Sequence, residues 1–223
     1  MKQRSQFHLW REQFRQGLPS WYDGRLHLLG TVVLALAMIT TACVMMVGVT
    51  AVELLTIPLT LIYVNLFEYV GHRWVMHRRV RFLSRVHRRH TLEHHRFFDH
   101  NNMAVDHHRD YYAVLFAPVL VLFFGAVFVL PGWLLLAMLF SSNVAWLFTA
   151  TIFAYFLNYE LLHLTYHQPW CQKVPVLESL ARHHRVHHDP TLMRYCNFNV
   201  TYPLADWLFN TLQRSQYDNH NEH

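Results

Sequence analysis

The sequence predicts an all-α integral membrane protein, in which four transmembrane helices form two hairpins and a histidine-rich helical cap lies on the cytoplasmic side. Three observations lead to this fold class. Of the 223 residues, 53% are hydrophobic and only 15% are charged, whereas soluble domains carry about 25% charged residues. Apolar runs of bilayer-spanning length occur in two pairs. Most of the 19 histidines lie in the polar segments that follow those pairs.

The first hairpin is predicted over residues 28–71. Residues 28–47 carry no charge over twenty positions, which is long enough for one helix to cross a bilayer. This run is too long and begins too late to be the core of a signal peptide. A second apolar run covers residues 54–70. Because only GVTAVE separates the two runs, we expect a tight hairpin.

The second hairpin is predicted over residues 112–159. Residues 112–130 and 134–157 are apolar, and the intervening PGW predicts a turn, since proline and glycine interrupt helices. A cytoplasmic N-terminal segment (1–27) precedes the first hairpin, and histidine-rich segments (72–111 and 160–223) follow the two hairpins. We expect the whole chain to form a single membrane domain.

The basic residues predict the topology. All 19 Lys and Arg lie in residues 1–27, 72–112 and 160–223, and neither hairpin turn contains one. The positive-inside rule then places both termini and both histidine-rich segments in the cytoplasm. The net charge of +5 indicates contact with a lipid surface and not with nucleic acid. The three cysteines have no paired spacing, which excludes a disulfide framework and a cysteine zinc site.

The histidines of the two polar segments form four clusters, of which two are simple pairs. His163 and His167, just past the fourth span, have the i, i+4 spacing of one helix face. His72 and His77 are five residues apart, which places them about 140° apart on an ideal α-helix. One face of such a helix cannot present both, so we expect them to reach one site only from a helix end, or to bind neighbouring metals.

The other two clusters are larger. In the second cluster, the spacing puts His87, His90 and His94 on one helix face, with His95 beside it. The fourth cluster combines the i, i+3, i+4 spacing with one adjacent histidine: His184, His187, His188 and His183.

These clusters predict a metal site. Neutral imidazole is the commonest metal ligand in proteins, and an i, i+4 pair lets one helix hold one metal. Roughly ten histidines from four segments indicate two metals with four or five ligands each. Imidazole suits iron, zinc or copper and does not suit magnesium or calcium. Contact with anionic headgroups is the alternative for the histidines outside the clusters: His8, His27, His107, His108, His220 and His223.

The order H-x4-H, H-x3-HH, H-x3-H, H-x2-HH resembles the fatty acid hydroxylase / sterol desaturase superfamily of membrane di-iron oxygenases. The resemblance covers about residues 60–212, with the phrases HTLEHHRFF, NYELLHLTYH and HHDPTLMRYCNFNVTYPLADWLFNT, and is closest to the fatty acid 2-hydroxylase-like branch. Four boxes in this order are a specific signal. The resemblance implies ten metal ligands: His72, His77, His90, His94, His95, His163, His167, His184, His187 and His188.

Two departures from the family pattern affect details of the site. The second box has three intervening residues where many relatives have two, which leaves open whether His87 replaces His90. His183 could likewise replace a member of the fourth box. Asn210 stands where the closing phrase usually has glycine, and we expect this change to affect only a turn.

The resemblance also implies an activity and its cofactors. Two iron ions, which zinc could replace in purified protein, would use O2 as co-substrate to hydroxylate a C–H bond of a fatty acyl, sphingolipid or sterol-type lipid in lipid biosynthesis. The lipid would enter from the bilayer. The chain has no flavin, haem or ferredoxin motif, so we expect a separate electron donor, either cytochrome b5-like or a ferredoxin with its reductase. The resemblance leaves the oligomeric state open.

Three other functions compete with lipid hydroxylation. An acyl-lipid or sterol desaturase and a carotenoid hydroxylase would use the same kind of site. A metal-binding membrane transporter is the non-enzyme alternative. Transporters bind their substrates near the bilayer midplane, whereas these clusters follow the ends of the spans, so we favour the enzyme.

Two acidic residues are candidates to support the metal ligands. Glu160 precedes His163 by one helical turn, and we expect it to orient a ligating ring. Glu68 lies inside the second span, one turn before His72, where an acidic residue is a functional candidate by default. It would serve as a hydrogen-bond partner for histidine or as a proton carrier.

Overall fold

The fold is helical throughout the part of the chain that is described. A computed structural model describes residues 2–213; Met1 and residues 214–223, which include His220 and His223, lie outside this range. Within it no strand is present. The α-helices are α1 (Lys2–Gln16), α2 (Gly24–Met45), α3 (Thr56–Val70), α4 (Ser84–His87), α5 (His95–Phe97), α6 (Tyr111–Val114), α7 (Pro118–Phe124), α8 (Leu130–Leu139), α9 (Ser142–Tyr166), α10 (Pro175–His187) and α11 (Leu204–Leu208). The π-helical segments are Gly71–Met76, Arg88–His94 and Gly125–Val129.

Within residues 2–213, four helical stretches are long and apolar enough to cross a membrane. They are Gly24–Met45, Glu53–Met76, His108–Leu139 and Ser142–Tyr166. Their number and order confirm the predicted four-span fold.

The fourth span, α9, lies at the centre of the bundle and packs against α2, α3 and α8. Both α2 and α9 bury small side chains, Ala35 and Ala42 in α2 and Ala145 in α9. Small residues let helix backbones approach closely in a membrane, where association depends on close packing. The two helices of the first hairpin, α2 and α3, follow each other in the chain, yet each packs mainly against α9.

The turn predicted at PGW is wrong, because these residues lie inside α8. Pro131 stands in the first turn of this helix. The preceding turn, Gly125–Val129, is π-helical, and its wider i→i+5 geometry accommodates a proline that lacks an N–H. The chain reverses after Leu139 instead. There the Ser141 hydroxyl accepts a hydrogen bond from the Val144 N–H and caps α9.

The two hairpin turns lie together, at the end of the bundle remote from the clustered histidines. Glu53 accepts hydrogen bonds from the Ser141 hydroxyl and from the Asn143 amide. The Asn143 side chain also bonds both the N–H and the carbonyl of Val47, at 3.1 and 2.9 Å. These contacts tie the first turn to the second.

The third span is broken between α6 and α7, at Leu115–Ala117. Pro118 follows the break, lacks an N–H and disfavours a helical backbone at the residue before it, which is extended (φ −62°, ψ 135°). A break at membrane depth requires partners for the freed backbone groups. Glu160 accepts from the Phe116 N–H at 3.0 Å, and a His27 ring nitrogen donates to the Phe116 carbonyl at 3.0 Å.

The segment after α10 is held by two carboxylates, of which Asp206 is buried and Glu68 is partly buried. Asp206 accepts hydrogen bonds from the backbone N–H groups of Phe198 and Asn199, at 2.9 and 2.7 Å, and from the Thr211 hydroxyl at 2.7 Å. Glu68 of α3 accepts from the Thr201 N–H at 3.1 Å. Together they fix residues 198–201 against α3.

Two asparagines in this segment adopt left-handed backbone conformations. Asn197 has φ 57° and Asn210 has φ 54°. Asparagine tolerates this region better than most non-glycine residues. Asn210 therefore occupies a turn that glycine would also form, and the departure from the family pattern is confined to that turn, as predicted.

We expect Asp206→Asn to lower the free energy of unfolding by about 2–3 kcal/mol, because one amide oxygen cannot replace two carboxylate acceptors and the amide NH2 faces another donor. Thermal unfolding in detergent measures the loss. Glu178→Gln is the control, since this partly exposed carboxylate forms a surface ion pair with Arg182. Equal effects of the two substitutions would contradict the role given to Asp206.

Candidate metal centre

The ten histidines implied as ligands are all buried and form two groups of five. Within each group, the potential ligand atoms all lie within 4.8 Å of one another. Group 1 contains His72, His77, His90, His95 and His187. Group 2 contains His94, His163, His167, His184 and His188.

In group 1 the Nε2 atoms converge. Those of His72 and His90 are 2.8 Å apart, those of His77 and His187 are 2.9 Å apart, and those of His90 and His95 are 3.1 Å apart. These rings come from three separate parts of the chain, so only the folded protein brings them together.

Group 2 has the same arrangement. The Nε2 atom of His94 lies 3.2 Å from that of His163 and 3.1 Å from that of His188. The Nε2 atom of His184 lies 3.0 Å from that of His188 and 3.4 Å from that of His167. The two groups are adjacent, since the rings of His95 and His188 stack with centroids 4.4 Å apart.

In five of the rings the Nδ1 nitrogen, which points away from the centre of its group, donates a hydrogen bond to a backbone carbonyl. A carbonyl oxygen can only accept, so each of these Nδ1 atoms carries the proton, and the Nε2 lone pair faces the centre of the group. The Nδ1 pairings are His72 with Phe198, His94 with Ala113, His167 with Met103, His187 with Cys196 and His188 with Phe98.

The rings of His94 and His188 test whether the residues fit a metal ion. Both Nδ1 atoms donate to carbonyls, so the two Nε2 lone pairs face each other across 3.1 Å without a proton between them. Two such lone pairs repel, and a cation bound by both removes the repulsion. The donor set of group 2 therefore fits a metal ion.

Burial keeps these imidazoles neutral. It holds the pKa of His90, His95 and His184 well below the ordinary value, and neighbouring imidazoles lower the pKa further. The rings are consequently uncharged at neutral pH, which is the form that binds metal.

A π-helical segment explains how two histidines five residues apart reach the same group. His72 and His77 belong to the same group, because the backbone is π-helical over Gly71–Met76 and the His77 N–H donates to the His72 carbonyl at 3.2 Å. A π-turn aligns residues i and i+5 as an α-turn aligns i and i+4. The predicted angle of about 140° assumed α-helical geometry. The pair instead reaches one group at the end of a helical segment, with His77 as its C-cap, which is one of the two predicted arrangements.

The second histidine cluster has the same π-helical geometry. The His95 N–H donates to the His90 carbonyl within the π-helical segment, and both rings belong to group 1. His94 belongs to group 2. His90 and His94, predicted to share one face, are therefore separated between the two groups.

Ordinary α-helical spacing supplies the remaining pairs. His163 of α9 and His167, which follows the helix directly, both belong to group 2, as do His184 of α10 and His188, which follows that helix. His187 precedes His188 by one residue and joins group 1. Each group therefore has two pairs from single helical turns and one further histidine.

The two ambiguous histidines lie outside both groups. The His87 Nδ1 atom bonds the Met76 carbonyl at 2.9 Å. The His183 Nε2 atom lies 3.2 Å from the Asn199 carbonyl oxygen and 3.5 Å from an Asp206 carboxylate oxygen. The structure thus brings together the ten predicted residues without these neighbours. That the ten bind metal remains a prediction.

The two acidic candidates contact backbone near the groups and not the rings. Glu160 is fully buried, and its carboxylate accepts from the Phe116 N–H. Glu68 bonds the segment that follows Phe198, whose carbonyl accepts from the His72 ring. Among the described residues, no hydrogen bond joins either carboxylate to a histidine ring. Both therefore position backbone that touches the site.

Sequence reasoning missed the backbone partners and two further side chains. The carbonyls that orient the rings carry no sequence signal, since any residue type supplies one. Phe116 was hidden in an apolar run. Arg89 lies between His87 and His90 and was counted only as a topology signal, although its position within a histidine box could have drawn attention to it.

Two spaces adjoin the histidines. An apolar cavity of about 290 Å³ lies between α3, the third span and α9, and reaches His72 of group 1. A small void of about 30 Å³ is lined by His90, His94 and His163, from both groups. Four side chains line both spaces: Met76, Val86, Phe116 and Tyr159.

A family model described as fatty acid hydroxylase matches residues 57–211. The chain belongs to the fatty acid hydroxylase family. The matched region contains both histidine groups, whereas α1 and α2 precede it. This confirms the superfamily resemblance drawn from the histidine boxes.

One solved structure has a similar fold. It is described as full-length Scs7p, with only the hydroxylase domain visible, and matches with a TM-score of 0.57 at 17% sequence identity. The match covers 83% of this chain and 64% of that chain. The chain described here thus spans less than two thirds of the length of the Scs7p chain. No curated protein matches the sequence significantly.

We expect the wild-type protein to bind about two metal ions per chain, and His77→Ala and His167→Ala to bind about one, because each variant weakens one group. Elemental analysis of protein purified without chelator measures the content. His87→Ala is the matched control, since this ring lies beside the groups but outside them, and should keep both ions. Full metal content in the first two variants would contradict the ligand assignment.

Proposed function

We propose that the chain is an O2-dependent di-iron hydroxylase that acts on a C–H bond of a lipid. The observation that carries the proposal is the position of the imidazoles, since two adjacent groups of five adjoin an apolar cavity between the spans. Membership of the fatty acid hydroxylase family supports this reaction class. On this proposal residues 1–223 form one catalytic membrane domain.

Iron is the metal that the donor set favours. Each group offers five imidazoles and, among the described residues, no carboxylate or thiolate joins them. Magnesium and calcium prefer oxygen ligands, and structural zinc sites almost always have four ligands. Imidazole suits iron, and five donors at each of two adjacent sites support a di-iron centre. Zinc could occupy the same ligands after purification.

Bound iron would supply the activation of O2. One lipid C–H bond, one O2, two electrons and two protons yield one alcohol and one water. The protein's own part is to hold the rings, exclude water and place the lipid. The carbonyl-oriented imidazoles serve the first task.

The cavity serves the other two tasks. Its walls are mainly aromatic and aliphatic, which excludes water and suits a hydrocarbon chain. We propose a fatty acyl, sphingolipid or sterol-type substrate that enters from the bilayer. The aromatic lining residues are Tyr63, Phe67, Phe116, Phe124, Phe128, Phe148, Phe153, Tyr155, Phe156 and Tyr159.

A separate protein would deliver the electrons. We propose a cytochrome b5-like donor or a ferredoxin with its reductase, because no motif for such a cofactor is present in the sequence. The positive-inside rule supports a cytoplasmic location for the termini and for the histidine end of the spans. The donor would then approach from the cytoplasm.

Isotope incorporation tests the reaction. The purified protein, loaded with Fe(II) and placed in liposomes that contain fatty acid, ceramide and sterol, is supplied with reductant and ¹⁸O2. We expect one ¹⁸O atom in a lipid alcohol, and none with His77→Ala or His167→Ala. A new double bond without ¹⁸O would identify a desaturase instead. An unchanged lipid pool with both metals bound would contradict the enzyme, and metal flux into the liposomes would identify a transporter.

A cavity variant tests where the lipid lies. Ile152 of α9 lines the cavity, whereas Leu161 of the same helix is 42% exposed. We expect Ile152→Trp to lower kcat/KM at least tenfold by filling the space, while metal content stays unchanged. Leu161→Trp adds the same bulk outside the cavity and should behave as wild type. Equal activity of the two variants would show that the substrate does not use this cavity.

A further inference from the structure

The small void beside the histidines has one cationic wall. His90 of group 1 and His94 and His163 of group 2 line it, and so does Arg89. Its remaining lining is apolar or aromatic. Its volume of about 30 Å³ is more than the roughly 10–15 Å³ that one water molecule needs, so it admits a small polar group.

Only one of the two terminal nitrogens of the Arg89 guanidinium donates hydrogen bonds to described residues. Its Nη2 atom donates to the Tyr112 and Leu115 carbonyls, at 2.6 and 3.1 Å, which the break in the third span leaves available. Its carbon lies 4.1 Å from the centre of the Tyr112 ring. The Nη1 atom is buried, and no described protein atom accepts a hydrogen bond from it. A buried charged donor without an acceptor is costly, so this site favours an oxygen ligand.

Among the residues that the structure describes, no carboxylate accepts a hydrogen bond from this Nη1 atom. Glu160 is the nearby acid, but its two oxygens accept from the Phe116 N–H, at 3.0 and 3.4 Å. Among the described residues Arg89 forms no ion pair. An oxygen from outside the chain would therefore complete the coordination of the guanidinium.

The void and the large cavity share part of their walls. Met76, Val86, Phe116 and Tyr159 line both spaces. The two spaces are therefore neighbours, and their chemistry suits one molecule with a small polar end, held beside Arg89, and a long apolar body in the cavity. A lipid acyl chain has this shape.

We propose that Arg89 is the receptor for the substrate's acyl oxygen, and donates a hydrogen bond from Nη1 to a carbonyl or carboxylate. This inference rests on the proposed function. It makes Arg89 a binding residue that determines the position of oxidation, because an oxygen held beside His90, His94 and His163 places the adjacent carbons nearest the histidines. Carbons further along the chain lie in the cavity.

The first test uses the wild-type protein. Palmitic acid, palmitamide and hexadecane have similar apolar bodies, but only the first two carry an acyl oxygen. We expect hydroxylation close to that oxygen, and a kcat/KM at least tenfold lower for hexadecane. A preference for palmitic acid over palmitamide identifies a carboxylate ligand, and equal use identifies a carbonyl. Oxidation far along the chain, or equal use of hexadecane, would overturn the proposal.

The second test changes the receptor. We expect Arg89→Lys to raise KM for palmitic acid at least tenfold and to reduce the discrimination against hexadecane, with unchanged metal content. Arg85→Lys is the matched control, since Arg85 is exposed on the neighbouring turn, and should behave as wild type. If Arg89 only supports the break in the third span, turnover of both substrates falls equally and their ratio is unchanged, which would overturn the proposal.

A binding measurement separates this proposal from the proposed reaction. Palmitic acid that binds the folded protein should raise its melting temperature, more in wild type than in Arg89→Lys, with hexadecane giving a smaller shift in wild type. This readout needs no turnover. If no lipid is oxidised but the shift depends on Arg89, the proposed hydroxylation is contradicted and the proposed role of Arg89 is supported. If lipids are oxidised but the shift is independent of Arg89, the proposed hydroxylation is supported and the proposed role of Arg89 is overturned.

Discussion

The structure depends on the need to bury ten uncharged imidazoles with their lone pairs directed inward. Each ring has two nitrogens, and the direction of one is set by the partner of the other. Backbone carbonyls provide this partner at His72, His94, His167, His187 and His188. The surrounding loops and helix ends must therefore place free carbonyl oxygens within hydrogen-bond distance of the rings. This requirement accounts for the many short, irregular elements around the histidines.

The interruption of the third span is one result of that requirement. A continuous helix would use its carbonyls internally, whereas the break near Pro118 leaves the Ala113 carbonyl available to the His94 ring. The remaining freed groups need partners at membrane depth. Glu160, His27 and Arg89 supply them from three other segments. The positions of these three polar side chains are thus explained by the backbone groups that they satisfy.

Sequence reasoning succeeded where a property is carried by many residues together. Four spans, their order and the family could be predicted because hydropathy, charge and box order each extend over long stretches. It failed where one residue alters local geometry. The turn placed at Pro131 lies inside α8 after a π-helical segment, and the angle predicted between His72 and His77 assumed an α-helix where the backbone is π-helical. The roles of Phe116 and Arg89 depend on contacts distant in sequence, which periodicity cannot reveal.

The π-helical segment before His95 bears on how this site is recognised in other sequences. Many relatives separate the first and last histidines of the second box by four positions, and this chain separates them by five. An α-turn closes over four residues and a π-turn over five, so both spacings present the two rings from one turn. The additional residue is absorbed as a local widening of the helix, and the histidines that follow keep their orientation. Homology searches that require a fixed spacing would discard such chains, whereas alignments that allow one inserted residue here keep the histidines of the second box in correspondence.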